Sequence, residues 1–201
     1  MNGTGHLKFI GDLTNFSVIE RITSALINND LRISGFVHSA GIEATLPFKS
    51  SYPSSFKEIF DINVFAGFEF ARLLSQKNIV DLTGASFIFI SSIKGKLGAP
   101  FNVAYCASKS ALIAGSKAIA LELASKKIRC NCVLPGFVET KLINDLFNSI
   151  PQETKEKIIN DHPLGLGKPE DVAALVIFLL SNEAKWITGA EYIIDGGYSI
   201  H

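Results

Sequence analysis

Along this chain, short wholly apolar runs alternate with segments whose apolar residues recur every three to four positions. Phe87-Ile88-Phe89-Ile90 is a continuous apolar run, which predicts a strand covered on both faces. Ile33 to His38, Ile128 to Leu134 and Tyr192 to Ile194 predict further strands, and Leu7 to Gly11 a short one. Between them Val18, Ile19, Ile22, Ala25 and Leu26 recur at helical spacing. So do Phe56, Ile59, Phe60, Asn63, Val64 and Gly67, and Ser55-x-x-Glu58 has the form of a capping box at the head of that helix. A long helix is predicted from Val103 to about Lys126. Pro169 sits in the first turn of a last helix through Leu180, where its missing N–H leaves no bond unmade. From Pro135-Gly136 to His162 the pattern reads as loop and short helices.

Alternation of strands and helices, with fully apolar strands, predicts an α/β fold: a parallel sheet with helices on both faces, in a single domain over 1–201. In such sheets ligands bind at the carboxyl ends of the strands. Ser39-Ala40-Gly41, Ser91-Ser92 and Pro135-Gly136 all fall at those ends.

Composition narrows the function classes. Hydrophobic residues make up 47% and 19 basic residues balance 19 acidic ones, which argues against a disordered chain and against a nucleic-acid partner. No apolar run approaches the roughly 18 residues that span a membrane. The stretch Met1 to His6 lacks a charged segment followed by an apolar one, so a cytoplasmic rather than secreted protein is expected. Cys130 and Cys132 alternate on one predicted strand, a spacing suited neither to redox chemistry nor to zinc. They and Cys106 read as buried small hydrophobes. His38 has no second ligand at metal spacing, so no metal site is expected.

Tyr105 and Lys109 stand four apart on the long helix, hence on one face. A lysine beside a tyrosine favours the phenolate and is expected to pull the phenol below its usual value of about 10. Tyr105 is therefore a candidate general acid/base, although this spacing alone is more often a plain surface helix face.

The surrounding residues resemble the short-chain dehydrogenase/reductase family, and most of all its 3-oxoacyl-carrier-protein reductase type. The resemblance runs from about Phe9 to His201. It rests on Ser92, Tyr105 and Lys109 in order and spacing, and on Asn63 in Asp61-Ile62-Asn63-Val64. It also rests on Pro135-Gly136-Phe137-Val138-Glu139-Thr140, on Ile187-Thr188-Gly189 and on Asp195-Gly196-Gly197. The resemblance implies a three-layer, Rossmann-like, doubly wound parallel sheet and an NAD(P)-dependent oxidoreductase interconverting a carbonyl and a secondary alcohol. Tyr105 would exchange the proton, Ser92 would hydrogen-bond the reacting oxygen, and Lys109 would tune Tyr105 and hold the nicotinamide ribose. Asn63 would connect Lys109 through water to a proton relay, or else be a polar helix-bending group. Ser39, Ala40, Gly41, Pro135, Gly136, Val138 and Thr140 would join Tyr105 and Lys109 in holding NAD or NADP, with Val138 at the carboxamide and Thr140 at a phosphate. Asp12 and Leu13 would meet the adenine, unless Asp12 caps the helix that follows. Ser92, Ile93, Lys94 and Tyr105 would face a small carbonyl or hydroxyl substrate, free or linked to an acyl carrier. Lys94 and Lys96 would meet an anionic carrier or form a solvated loop face. Small residues Ala107, Ala111, Ala114, Gly115 and Ala118 imply a homodimer or homotetramer packed through the long helix.

Two departures stand out. His38-Ser39-Ala40-Gly41 replaces the family's Asn-Asn-Ala-Gly, which removes two asparagine side chains that tie the central strands. The glycine-rich strand–turn–helix that binds the pyrophosphate is not found, and Gly3-Thr4-Gly5 follows no strand. The alignment places Leu7 to Asp12 at the family's third strand, so an N-terminally truncated sheet lacking the first β-α-β-α unit is expected. Leu7 to Ile10 would then pair with the strand at Ile33 to His38, pair with another chain, or lie detached. Three functional readings follow: an oxidoreductase, a non-catalytic relative acting as an assembly or binding partner, or a chain whose true start lies upstream.

Overall fold

Successive side chains of a strand point to opposite faces of its sheet, and this alternation builds two cores here. In strand β2 (Ala85–Ile90), Phe87 and Phe89 face one way and Ile88 the other, and all three are fully buried. Beside it lie β1 (Gly35–His38) and β3 (Ile128–Pro135), and β4 (Glu191–Ile194) follows β3. The computed structural model describes residues 5–200, and among them this parallel sheet runs in the order β1-β2-β3-β4.

The helices are α1 (Phe16–Asn28), α2 (Pro53–Phe60), α3 (Ala66–Leu74), α4 (Val103–Leu123), α5 (Lys141–Ser149), α6 (Gln152–Asn160) and α7 (Pro169–Leu180). On one face Phe87, Phe89, Cys130, Cys132 and Leu134 meet Ala71 and Leu74 of α3 and Leu112, Ile113, Ala120 and Leu123 of α4. On the other, Ile88 and Val133 meet Leu179, Val172, Leu175 and Val176 of α7. Each fully buried Ile, Leu or Phe side chain contributes about 1.5–3 kcal/mol of transfer free energy. The register pairs His38 with Phe89 and Ile90 with Val133, so the carboxyl ends of β1, β2 and β3 open at one rim. No helix among the described residues is long and apolar enough to cross a membrane.

Several expectations are corrected. Leu7 to Gly11 forms no strand; the segment is held beside α1, where Arg21 donates to the Ile10 oxygen at 3.1 Å. A strand needs a neighbouring ladder, and within this chain Leu7 to Ile10 does not pair with β1, whose one ladder is to β2. Ile33 makes only an isolated bridge to Val80, so β1 starts at Gly35. The capping box at Ser55 does not form, because Pro53 starts α2 two residues earlier, behind Tyr52. Its fixed φ suits the first helical position. Cys106 is half-buried, whereas Cys130 and Cys132 are fully buried free thiols. Burial pushes the Cys130 thiol up to about 12 and that of Cys132 up to about 11. Gly3 and Thr4 of the Gly-x-Gly lie outside the described residues.

Candidate active site

The helix that begins at Pro53 is interrupted by a π turn at Asp61–Phe65 before α3 resumes it. Such turns re-aim side chains, and this one carries Asn63 inward until it is fully buried. The Asn63 Oδ1 accepts from the Ile42 amide at 2.8 Å; its Nδ2 donates to the Ile42 oxygen and to Ser108 Oγ, both at 3.0 Å. Asn63 thus staples the loop after β1 to α4. None of these bonds goes to Lys109.

On α4, Tyr105 and Lys109 share one face as the four-residue spacing predicts, and that face is turned inward rather than to the surface, leaving them 8% and 5% exposed. Lys109 Nζ donates to the Ile90 oxygen at the end of β2 (2.9 Å) and lies 5.5 Å from the centre of the Tyr105 ring. Ser91 Oγ donates to the Lys109 oxygen at 2.7 Å, tying β2 to α4. The Ser92 hydroxyl caps the short turn Ile93–Gly95 and acts on the Tyr105 phenol, whose pKa it lowers. A Cβ on Gly41 would stand 3.4 Å from both Asn63 Oδ1 and Lys109 Nζ, so glycine keeps this corner open.

Electrostatics here run opposite to the sequence expectation for Tyr105. Burial raises the phenol well above its ordinary value, the Glu43 carboxylate adds to the rise, and Ser92 opposes it. The same burial brings Lys109 down to about 8. Desolvation penalises the charged form of each group, so it outweighs the attraction of the ammonium for a phenolate.

These residues floor a cleft of about 480 Å³. Ser39, Gly41, Ile42 and Glu43 line one side; Pro135, Gly136, Phe137, Val138, Thr140, Leu142 and Ile143 line the other, closed by Val172, Ala173 and Val176 of α7. Ser92, Ile93 and Lys94 also line it, whereas Ala40 does not. Gly167 donates to the Phe137 oxygen and Glu139 to the Gly167 oxygen, at 3.0 and 2.8 Å. In this parallel bridge Val138 turns its own N–H and C=O to the opposite side. Phe137 is held from behind: its N–H donates to His162 Nε2 (3.4 Å), whose ring stacks near Tyr198.

Asp12 and Leu13 are not brought to the cleft. Asp12 accepts from the amide and hydroxyl of Thr14, both at 2.9 Å, ahead of α1, which Asn15 rather than Asp12 caps. Lys96 turns away to pair with Glu191 at 2.8 Å. Lys94, by contrast, is drawn in by Glu43, a residue sequence reasoning missed together with Asn102, Ser108 and His162. The one legible signal for Glu43 was its place two residues after Gly41, at a strand's carboxyl end. Ile187-Thr188-Gly189 and Asp195-Gly196-Gly197 serve the scaffold. Thr188 and Gly189 bond Cys130, and Asp195 accepts from the Gly197 and Ser199 amides.

The arrangement fits the nicotinamide end of a dinucleotide: an open corner at Gly41, a cationic Lys109 beside Tyr105, and an outward-turned Val138 amide. Among the described residues no three or more His, Cys, Asp or Glu side chains come together as a metal ion would need.

The family described as "Enoyl-(Acyl carrier protein) reductase" matches residues 3–199. The chain is 31% identical over 193 residues to the 3-oxoacyl-[acyl-carrier-protein] reductase FabG of Thermotoga maritima, covering 96% of this chain and 76% of that one. It is 35% identical over 173 residues to the NADP-dependent (R)-specific alcohol dehydrogenase of Lentilactobacillus kefiri, covering 83% and 66%. A solved 4-hydroxyisoleucine dehydrogenase mutant, complexed with NADH and succinate, superposes with a TM-score of 0.87 at 28% identity, over 95% of this chain and 78% of that one. By the family that matches nearly its whole length and by these relatives, the chain belongs to the short-chain dehydrogenase/reductase family and is 3-oxoacyl-carrier-protein reductase-like.

Proposed function

We propose that this protein is an NAD(P)-dependent oxidoreductase that interconverts a ketone and a secondary alcohol, with 3-oxoacyl thioesters, free or carrier-linked, as its substrate class. The convergence of Ser92, Tyr105 and Lys109 on one cleft carries this reading. The relatives' names support it, since a 3-oxoacyl reductase and an alcohol dehydrogenase work on the same pair of groups.

When bound, the nicotinamide supplies or accepts the hydride at the reacting carbon. Tyr105 donates its phenolic proton to the ketone oxygen, and the Ser92 hydroxyl hydrogen-bonds that oxygen as charge builds on it. As the protonated phenol Tyr105 is the acid of the reduction, and as the phenolate it is the base of the reverse oxidation. Lys109, 5.5 Å from the centre of the Tyr105 ring, would stabilise the phenolate left behind and would meet a ribose hydroxyl. The Val138 backbone, free of the bridge to Gly167, would meet the carboxamide, and Thr140, at the head of α5, would meet a phosphate. Asn63 keeps the loop carrying Gly41 in place for this binding.

The reading extends to a cytoplasmic homodimer or homotetramer. Three free cysteines suit a reducing compartment. Val103, Ala114, Ala118 and Leu121 form an exposed apolar stripe on α4. Gly115 does not belong to it; its space is filled by Phe68 of α3.

The test is direct. Purified protein should show saturable NADH or NADPH binding by fluorescence and oxidise the cofactor when given an acetoacetyl thioester. Absence of both at millimolar cofactor would overturn the reading. Light scattering at micromolar protein should give more than a monomer's mass.

A further inference from the structure

The ammonium of Lys94 carries three N–H donors, and two are taken: Glu43 Oε1 accepts at 2.8 Å and Asn102 Oδ1 at 3.1 Å. Among the described residues no acceptor takes the third. The side chains of Lys94 and Glu43 are only 16% and 11% exposed, and both line the cleft. Lys94 Nζ lies 5.6 Å from the centre of the Tyr105 ring and 5.4 Å from that of Phe137. A cation fixed by two protein acceptors therefore stands beside the phenol, between two aromatic rings, with its third N–H left for a group in the cleft.

Holding an ion pair in a largely apolar cleft is costly, and an apolar pair of similar volume is often no less stable. A role in recognition accounts for its presence better than stability does. Glu43 neutralises the ammonium, so the pair does not call for an anion. A neutral oxygen acceptor fits, since a charge-assisted donor is strong and directional where water is sparse. Lys96, in the same loop, is turned away onto Glu191, so the loop is no general anion patch.

We propose that Lys94 is a specificity-determining residue that donates its third N–H to a second carbonyl oxygen of the substrate. That oxygen is the one two carbons along from the ketone held by Tyr105 and Ser92. In a 3-oxo thioester the ketone and thioester oxygens can turn to the same side of the chain and meet the two donor sets together. Glu43 and Asn102 are positioning residues that hold the ammonium there. The inference rests on the reaction proposed above and adds the part of the substrate that the site measures.

The experiment compares two ligands: the acetoacetyl thioester of N-acetylcysteamine, and its thioether analogue in which a methylene replaces the thioester carbonyl. Binding to the cofactor-free protein is measured by calorimetry, and kcat/KM with NADH and NADPH. The protein should prefer the thioester by on the order of 10- to 100-fold, the range for a charge-assisted hydrogen bond. Lys94→Met should bring the ratio close to one, and Lys94→Gln, which keeps a neutral donor, should leave it in between. Glu43→Gln should lower the ratio through KM rather than kcat. Circular dichroism and thermal melting confirm folding; if Lys94→Met does not fold, Lys94→Gln and Glu43→Gln carry the test. Equal binding of the two ligands, binding of neither, or an unchanged ratio in the folded Lys94 variants overturns the proposal. A thioester preference in binding without turnover supports the role of Lys94 and counts against the proposed reaction instead.

Discussion

His38 donates from Nε2 to the main-chain oxygen of Asn63 across 3.1 Å, joining the end of β1 to the π turn that aims the Asn63 side chain. His38 stands where the family resemblance expects an asparagine. Its ring is 3% exposed and packs near Phe36 and Phe89. Burial, above all, lowers its pKa, which keeps the imidazole neutral. Where the family's asparagine would tie the central strands, His38 thus ties a strand end to a helix, with a larger side chain.

That volume is bounded by Gly67, where a Cβ would lie 2.6 Å from the His38 ring. Gly67→Ala should cost about 1–3 kcal/mol, as overpacking does in a close-packed site. Urea denaturation checks this, and His38→Asn combined with Gly67→Ala should recover part of the loss. An unaffected Gly67→Ala single variant would mean that the ring moves freely.

Tyr105→Phe removes only the phenolic oxygen. Turnover should fall about 10²–10⁴-fold, the usual contribution of a positioned proton donor, with little change in thermal melting. Ser92→Ala should cost about 10²–10³-fold. Cofactor oxidation followed by absorbance reads both, and full activity in Tyr105→Phe would remove it from the chemistry.

Lys109 makes stability depend on pH in a definite sense. Its folded pKa, about 8, lies below the ordinary 10.5, so between these values the unfolded chain holds a proton that the folded one has released. Stability due to this group therefore rises with pH from about 8 to 10.5, and the penalty of the buried charge is fully present below 8. The raised thiols of Cys130 and Cys132 act oppositely above about 9, so the comparison with Lys109→Met isolates the lysine. At pH 7 that variant should be more stable by on the order of 1–2 kcal/mol, after allowing for the lost bond to Ile90. A less stable Lys109→Met at pH 7 would show that the buried ammonium is held at no cost.

Asn63→Ala should lose about 2–4 kcal/mol, because it leaves the amide and oxygen of Ile42 without their partner and opens a void. Hydrogen exchange at the Ile42 amide should accelerate by more than global unfolding explains. Unchanged exchange there would argue against Asn63 as the staple of this loop.

What the sequence determined by itself was local and periodic. The apolar run Phe87 to Ile90, the alternation in Ile128 to Leu134 and the stretch from Val103 to Lys126 predict β2, β3 and α4 because strand and helix periods are set by backbone geometry. The same geometry puts Tyr105 and Lys109 on one face, and the order Ser92, Tyr105, Lys109 made the family legible. Tertiary structure decided whatever depends on neighbours distant in the chain. Leu7 to Gly11 is no strand because no ladder meets it. Glu43 meets Lys94 across a separation of 51 residues, and Asn63 meets Ser108 across 45, which no spacing rule anticipates. The sign of the Tyr105 shift belongs to the fold as well: adjacency to a lysine can be read from sequence, but desolvation exists only once the cleft has closed around the phenol.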